Sequence, residues 1–104
     1  MNEILDDISD KIFLEKLKNE FKVSIEDYAV KLSVFYEKRN YAGMRKIAHD
    51  IKGIASVFGF DRGSELAAEL LKYTDSGDKK NIKGQYLDLL KYLNEIILEK
   101  PVEE

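Results

Sequence analysis

The sequence predicts an all-α protein, an antiparallel four-helix bundle with a short extra N-terminal helix, and three observations lead to that expectation. Apolar residues recur at steps of three or four along almost the whole chain, while strand-like alternation is confined to short stretches. The single proline falls near the C-terminus, so long windows run without a helix breaker. Short polar connections separate the periodic segments, which favours antiparallel neighbours.

Each element follows from local pattern. Ile4, Leu5 and Ile8 allow the short extra N-terminal helix, ending near Ser9 and Asp10, where a new helix can be capped. From Phe13 onward, Leu14, Leu17, Phe21, Ile25, Tyr28, Leu32 and Phe35 form one stripe without glycine or proline, predicting a long amphipathic helix to about Lys38. Ser24 could cap a fresh helix, but the stripe runs through it in phase. After Arg39 and Asn40, a helix from about Tyr41 to Phe58 buries Met44, Ile47, Ala48, Ile51, Ala55 and Phe58, and Gly59 ends it. Asp61 is the expected N-cap of a helix carrying Leu66, Ala67, Leu70 and Leu71. The Asp75-Ser76-Gly77-Asp78 cluster makes a turn. A last helix turns Ile82, Tyr86, Leu89, Leu90, Leu93 and Ile97 inward and stops before Pro101.

At 104 residues the chain has room for one domain, 1–104, with its core at about 12–98. No cysteine is present, so disulfides, iron-sulfur ligation and thiol chemistry are excluded. One histidine removes every scheme needing two imidazoles. A net charge of −3, from 17 basic and 20 acidic residues, lacks the broad positive field a phosphate backbone requires, so nucleic acid is not an expected partner. The N-terminus shows neither a basic leader nor a long apolar run, and no window approaches the roughly 18 apolar residues of a membrane span. No membrane association is expected, and the expected location is the cytoplasm.

His49 is the residue that core packing does not explain. At about 100° per residue it lies roughly 160° from the centre of its helix's apolar stripe. Arg45, Lys52, Gly53 and Ser56 share its outward sector. Gly53 is informative because a glycine inside a helix costs on the order of 1 kcal/mol relative to alanine. Bare backbone at i+4 clears space for a phosphoryl group or a partner's active site to reach the ring. Lys52 offers a compact positive charge to phosphate oxygens. Histidine is a competent nucleophile near neutral pH, since an ordinary pKa of about 6.5 leaves much of it neutral. Ala42, Val57 and Phe60 are apolar residues on the same side, the expected docking surface for a partner. Phe60 could equally pack under the following helix as the chain turns at Gly59.

The run Ala48-His49-Asp50-Ile51-Lys52-Gly53, followed by small residues and Gly59, resembles the signature of histidine-containing phosphotransfer (HPt) domains. The resemblance covers about residues 12–98. It implies that His49 is the phosphorylated histidine, Lys52 the phosphate-near lysine and Gly53 the clearance glycine; Arg45 and Ser56 join the phosphate-near set by helical phase alone. One departure stands out: Gly63 occupies a position where the family usually has leucine, which puts the packing at the start of the following helix in doubt.

The resemblance further implies a phosphocarrier in a two-component phosphorelay. His49 would exchange a phosphoryl group with the aspartate of a receiver domain, or take one from a histidine kinase. The carrier would not be a catalyst by itself and would need no cofactor of its own, with Mg²⁺ expected on the receiver. A monomer suffices for such a task. Two other readings stand beside it: the phosphoacceptor domain of a chemotaxis-type kinase, and a bundle serving only as a binding or scaffold module. Adjacent His49 and Asp50 suggest a metal-dependent phosphohydrolase of the HD type, which fails for want of further histidines.

Overall fold

A computed structural model of the protein describes residues 3–98. Four helices account for nearly all of them: α1 (Glu3–Glu37), α2 (Tyr41–Val57), α3 (Asp61–Ser76) and α4 (Lys79–Leu98). They form an antiparallel bundle in which α1 packs on α2 and α4, and α3 packs on the same two from the other side. No strand occurs among the described residues, as the periodicity requires. No helix among them is long and apolar enough to cross a membrane.

The connections show why each helix stops. Between α1 and α2, Arg39 adopts a left-handed φ of 56° and reverses the chain. Asn40 then caps α2, its Oδ1 accepting from the Gly43 N–H at 2.9 Å. Gly43 lets the two helices close up, because a Cβ there would sit 2.7 Å from the Phe35 ring. Gly59, at φ 80°, turns the chain out of α2. Phe60, not Asp61, occupies the N-cap of α3, without a side-chain cap. Asp61 is the first helical residue, where its charge suits the positive end of the helix dipole. The turn expected over residues 75–78 is shorter than the sequence suggests: α3 continues through Ser76, and Gly77 caps it in the left-handed region. Asp78 caps α4, accepting from the Asn81 N–H at 3.2 Å.

The core is apolar throughout. Phe21, Ile25 and Leu32 of α1 meet Met44 and Ile51 of α2, Leu66 and Leu70 of α3, and Ile82, Leu89 and Leu93 of α4. No polar or charged side chain is buried among the described residues. In α4 the inward position belongs to Ile96, while the expected Ile97 is half-buried.

Two expectations at the N-terminus are corrected. The short extra helix does not exist as a separate element, because α1 runs without interruption from Glu3. Ser9 and Asp10 offer capping side chains, but no glycine or proline nearby stops the helix from continuing. The side chains of Ile4, Leu5 and Ile8 lie outside what the structure describes, as does Pro101. Leu14, expected in the core stripe, is exposed, because α1 outruns its partners. Its 35 residues extend about 52 Å, against about 25 Å for α2. Phe58, which follows the end of α2, meets Phe21 at 4.8 Å between ring centroids. The preceding part of α1 therefore projects past the bundle, and the molecule measures 58 × 23 × 18 Å.

Candidate functional site

The phase of α2 places His49. With Met44, Ala48, Ile51 and Ala55 buried on one side, position 49 faces outward, and the His49 side chain is 73% exposed. Nδ1 lies 3.9 Å from Asp50 Oδ1, beyond hydrogen-bond reach, so Asp50 does not hold the ring in one tautomer. A Cβ built on Gly53 meets nothing within 4 Å. The space beside the imidazole is open.

The two cations expected near the ring differ. Lys52 is exposed, and its ammonium has no partner among the described residues. Its backbone carbonyl accepts from Ser64 Oγ at 3.1 Å, tying α2 to α3 beside the site. Arg45 shares the face of His49, but its Nε donates to Asp75 Oδ1 at the end of α3. Ser56 is exposed on the same sector. On the flank toward α1, Lys31 pairs with Asp27 at 3.0 Å. That hydrogen bond, with Asp27's charge, raises the Lys31 pKa above its ordinary value, and Asp50 adds to it slightly.

Of the apolar residues expected around the site, Ala42 is exposed and Val57 is 80% exposed. Phe60 is not on this face. It is half-buried and stacks on Phe21, ring centroids 4.7 Å apart and planes within 6°. Once Gly59 has turned the chain, the helical wheel of α2 no longer governs position 60. Nor does Phe60 pack only under α3, the other option the sequence left open, since it closes the end of the bundle against α1.

Sequence reasoning missed Ser64 and Asp75, which fasten α3 alongside the histidine helix. Neither has a local signal. They lie 12 and 30 residues from the groups they bind, and only the bundle brings them there.

Gly63 is buried at the seam of α2, α3 and α4, and a Cβ there would stand 2.8 Å from Tyr92 Cε2 and 3.4 Å from Ala55 Cβ. The Tyr92 ring takes up the space that a larger side chain at position 63 would use. Burial raises the Tyr92 pKa above the ordinary tyrosine value, and a hydrogen bond with the Gly63 backbone offsets part of that rise.

The structure thus sets an outward histidine on a bundle helix, with a clear glycine one turn on and a lysine between them. The family model of the Hpt domain matches residues 13–98, and the chain belongs to that family, whose members serve histidine phosphotransfer in phosphorelays. No curated protein and no solved structure matches the chain.

Proposed function

We propose that this protein is a phosphocarrier in a two-component relay, with His49 as the phosphoacceptor. The observation that carries the reading is the exposed imidazole beside the open backbone of Gly53. A receiver domain brings its aspartyl phosphate against this face. An unprotonated ring nitrogen of His49 attacks phosphorus, the N–P bond forms as the P–O bond breaks, and the aspartate leaves as carboxylate. The reverse step passes the group to another receiver, and a histidine kinase is the other donor class.

Ordered groups around the transferred phosphoryl, Mg²⁺ included, belong to the receiver, so the carrier contributes a positioned nucleophile. Lys52 supplies charge to the phosphoryl oxygens, and Ser56 borders it. Arg45 stands at the edge, held by Asp75. Ala42 and Val57 give the receiver apolar contact. The protein works in the cytoplasm with these partners.

The test is label transfer from a phosphorylated receiver with Mg²⁺. The wild-type protein should acquire an acid-labile, base-stable phosphate. His49→Gln should acquire none while keeping its helicity and melting temperature, since an exposed side chain contributes little to folding. In the same assay Lys52→Ala should accept phosphate more slowly or lose it faster. Labelling that survives in His49→Gln would refute the assignment.

A further inference from the structure

α1 carries apolar residues on two opposite faces. Phe21, Ile25, Ala29 and Leu32 face the bundle. Ile12, Val23, Val30 and Val34 lie within about 40° of one another along the outer side. Their exposures are 61, 65, 62 and 42%. This outer stripe serves no neighbour in the bundle. α2 occupies one flank of α1, where the Phe35 ring lies against Gly43, and α4 the other, where Tyr86 Oη donates to Ser33 Oγ at 3.2 Å. Val30 and Val34 also edge a shallow groove of about 310 Å³, whose far wall is Leu90 and Asn94 of α4. At the other end of the stripe, residues 10–16 of α1 are all exposed, and a helical segment that the bundle does not cover is marginal alone in water.

We propose that the outer stripe is the interface with a second copy of this chain, α1 lying antiparallel on α1. The stripe is complementary to itself in that sense. With position 21 of each helix at the crossing point, Ile12 meets Val30 of the second copy, and Val23 meets Asn19. Lys16 comes beside Asp27 of the second copy, which Lys31 of its own chain already pairs at 3.0 Å, so the two lysines share the carboxylate, and two-fold symmetry makes each contact twice. Two like-charged pairings, Glu15 with Glu26 and Glu20 with Glu20 of the second copy, fall on the solvated rim, where screening weakens them. The projecting segment of each copy is laid along the bundle half of the other, beside the α1–α4 groove. Each copy covers what the other leaves bare.

An interface of one helix pair and a groove edge is small, so the expected dissociation constant is on the order of 1–100 μM. The monomer expected from the sequence considered the bundle alone and not the projecting helix. His49 leans toward α3, away from α1, so pairing leaves the phosphotransfer face free.

Because the chain has no cysteine, single introduced cysteines report the register. Mixing Ile12→Cys with Val30→Cys under a mild oxidant should give a disulfide-linked dimer. Val30→Cys alone should give none, since its two thiols would lie about 27 Å apart in the pair, far beyond disulfide reach. Sedimentation equilibrium of the wild-type chain should show the mass rising toward twice the monomer value up to 200 μM, a range of about 200-fold above the lower limit expected. The double variant Val23→Glu, Val30→Glu should stay monomeric with wild-type helicity and wild-type phosphate acceptance. A wild-type chain that remains monomeric throughout, or cross-linking that joins position 12 to position 12, would overturn the proposal. Neither result bears on His49, so this inference and the phosphocarrier reading fail separately.

Discussion

Gly53 and Gly63 both put the least favoured ordinary residue inside a helix, yet their surroundings are opposite. Beside Gly53 a Cβ would meet open space, and beside Gly63 it would run into Tyr92. Both positions forgo about 0.5–1 kcal/mol of helix stability relative to alanine. At Gly63 the return is packing, because a large ring from α4 lies directly on the α3 backbone. At Gly53 nothing in the folded chain uses the vacancy, and because Gly84 of α4 is open in the same way, it is the adjacent His49 that gives the Gly53 vacancy its meaning. A helix glycine therefore points to function only when its face is open, and the sequence alone does not distinguish the two cases.

Filling each vacancy separates them most sharply. Gly53→Gln should raise the melting temperature slightly, in line with a gain of about 0.5–1 kcal/mol from lost glycine. Phosphate acceptance from a receiver should fall about a hundredfold, the scale of a displaced approach to a reacting centre. Normal acceptance in a stabilised Gly53→Gln protein would show that the space beside His49 is not used. Gly63→Leu should do the reverse, costing about 1–3 kcal/mol through overpacking against Tyr92 while leaving acceptance per folded molecule unchanged. Thermal melts of Gly63→Leu with and without Tyr92→Ala check the cause, since emptying the ring's place should recover part of the loss.

The smallest effect is a matter of pH. The Tyr92 pKa is raised in the folded state, so the protonated phenol is favoured by folding and its contribution is complete below the ordinary tyrosine value. As pH climbs past about 10 that contribution is lost. Stability should therefore decline more steeply at alkaline pH in the wild type than in Tyr92→Phe, as denaturant midpoints measured from neutral to alkaline pH would show. Parallel curves would mean that the phenol is not held at the seam.

The same contrast explains what was legible in advance. Helix class, the four bundle helices and the outward direction of His49 rest on spacing within one element, and spacing is local. The positions of Tyr92, Asp75 and Ser64 rest on which helices become neighbours, which no single window contains. Phe60 was misplaced because a wheel holds only while the helix continues, and Gly59 ends it. Leu14 shows another limit: periodicity tells which way a side chain faces, not whether a neighbouring helix reaches far enough to cover it. At Ser9 and Asp10 a capping signal met no breaker, and continuation won.

The ring cluster of Phe21, Phe58 and Phe60 divides α1 into two thermodynamic populations. Backbone amides from Phe21 to Leu32 run along the core and should exchange with solvent mainly when the bundle as a whole opens. Amides before Phe21 lie in a helical stretch whose residues 10–16 are exposed, so they should open locally at far lower free energy. One continuous helix thus belongs to two cooperative units, and three aromatic rings mark the border. Pairing with a second copy would transfer the projecting unit into the slow class, making exchange protection before Phe21 a gauge of how much of the protein is paired.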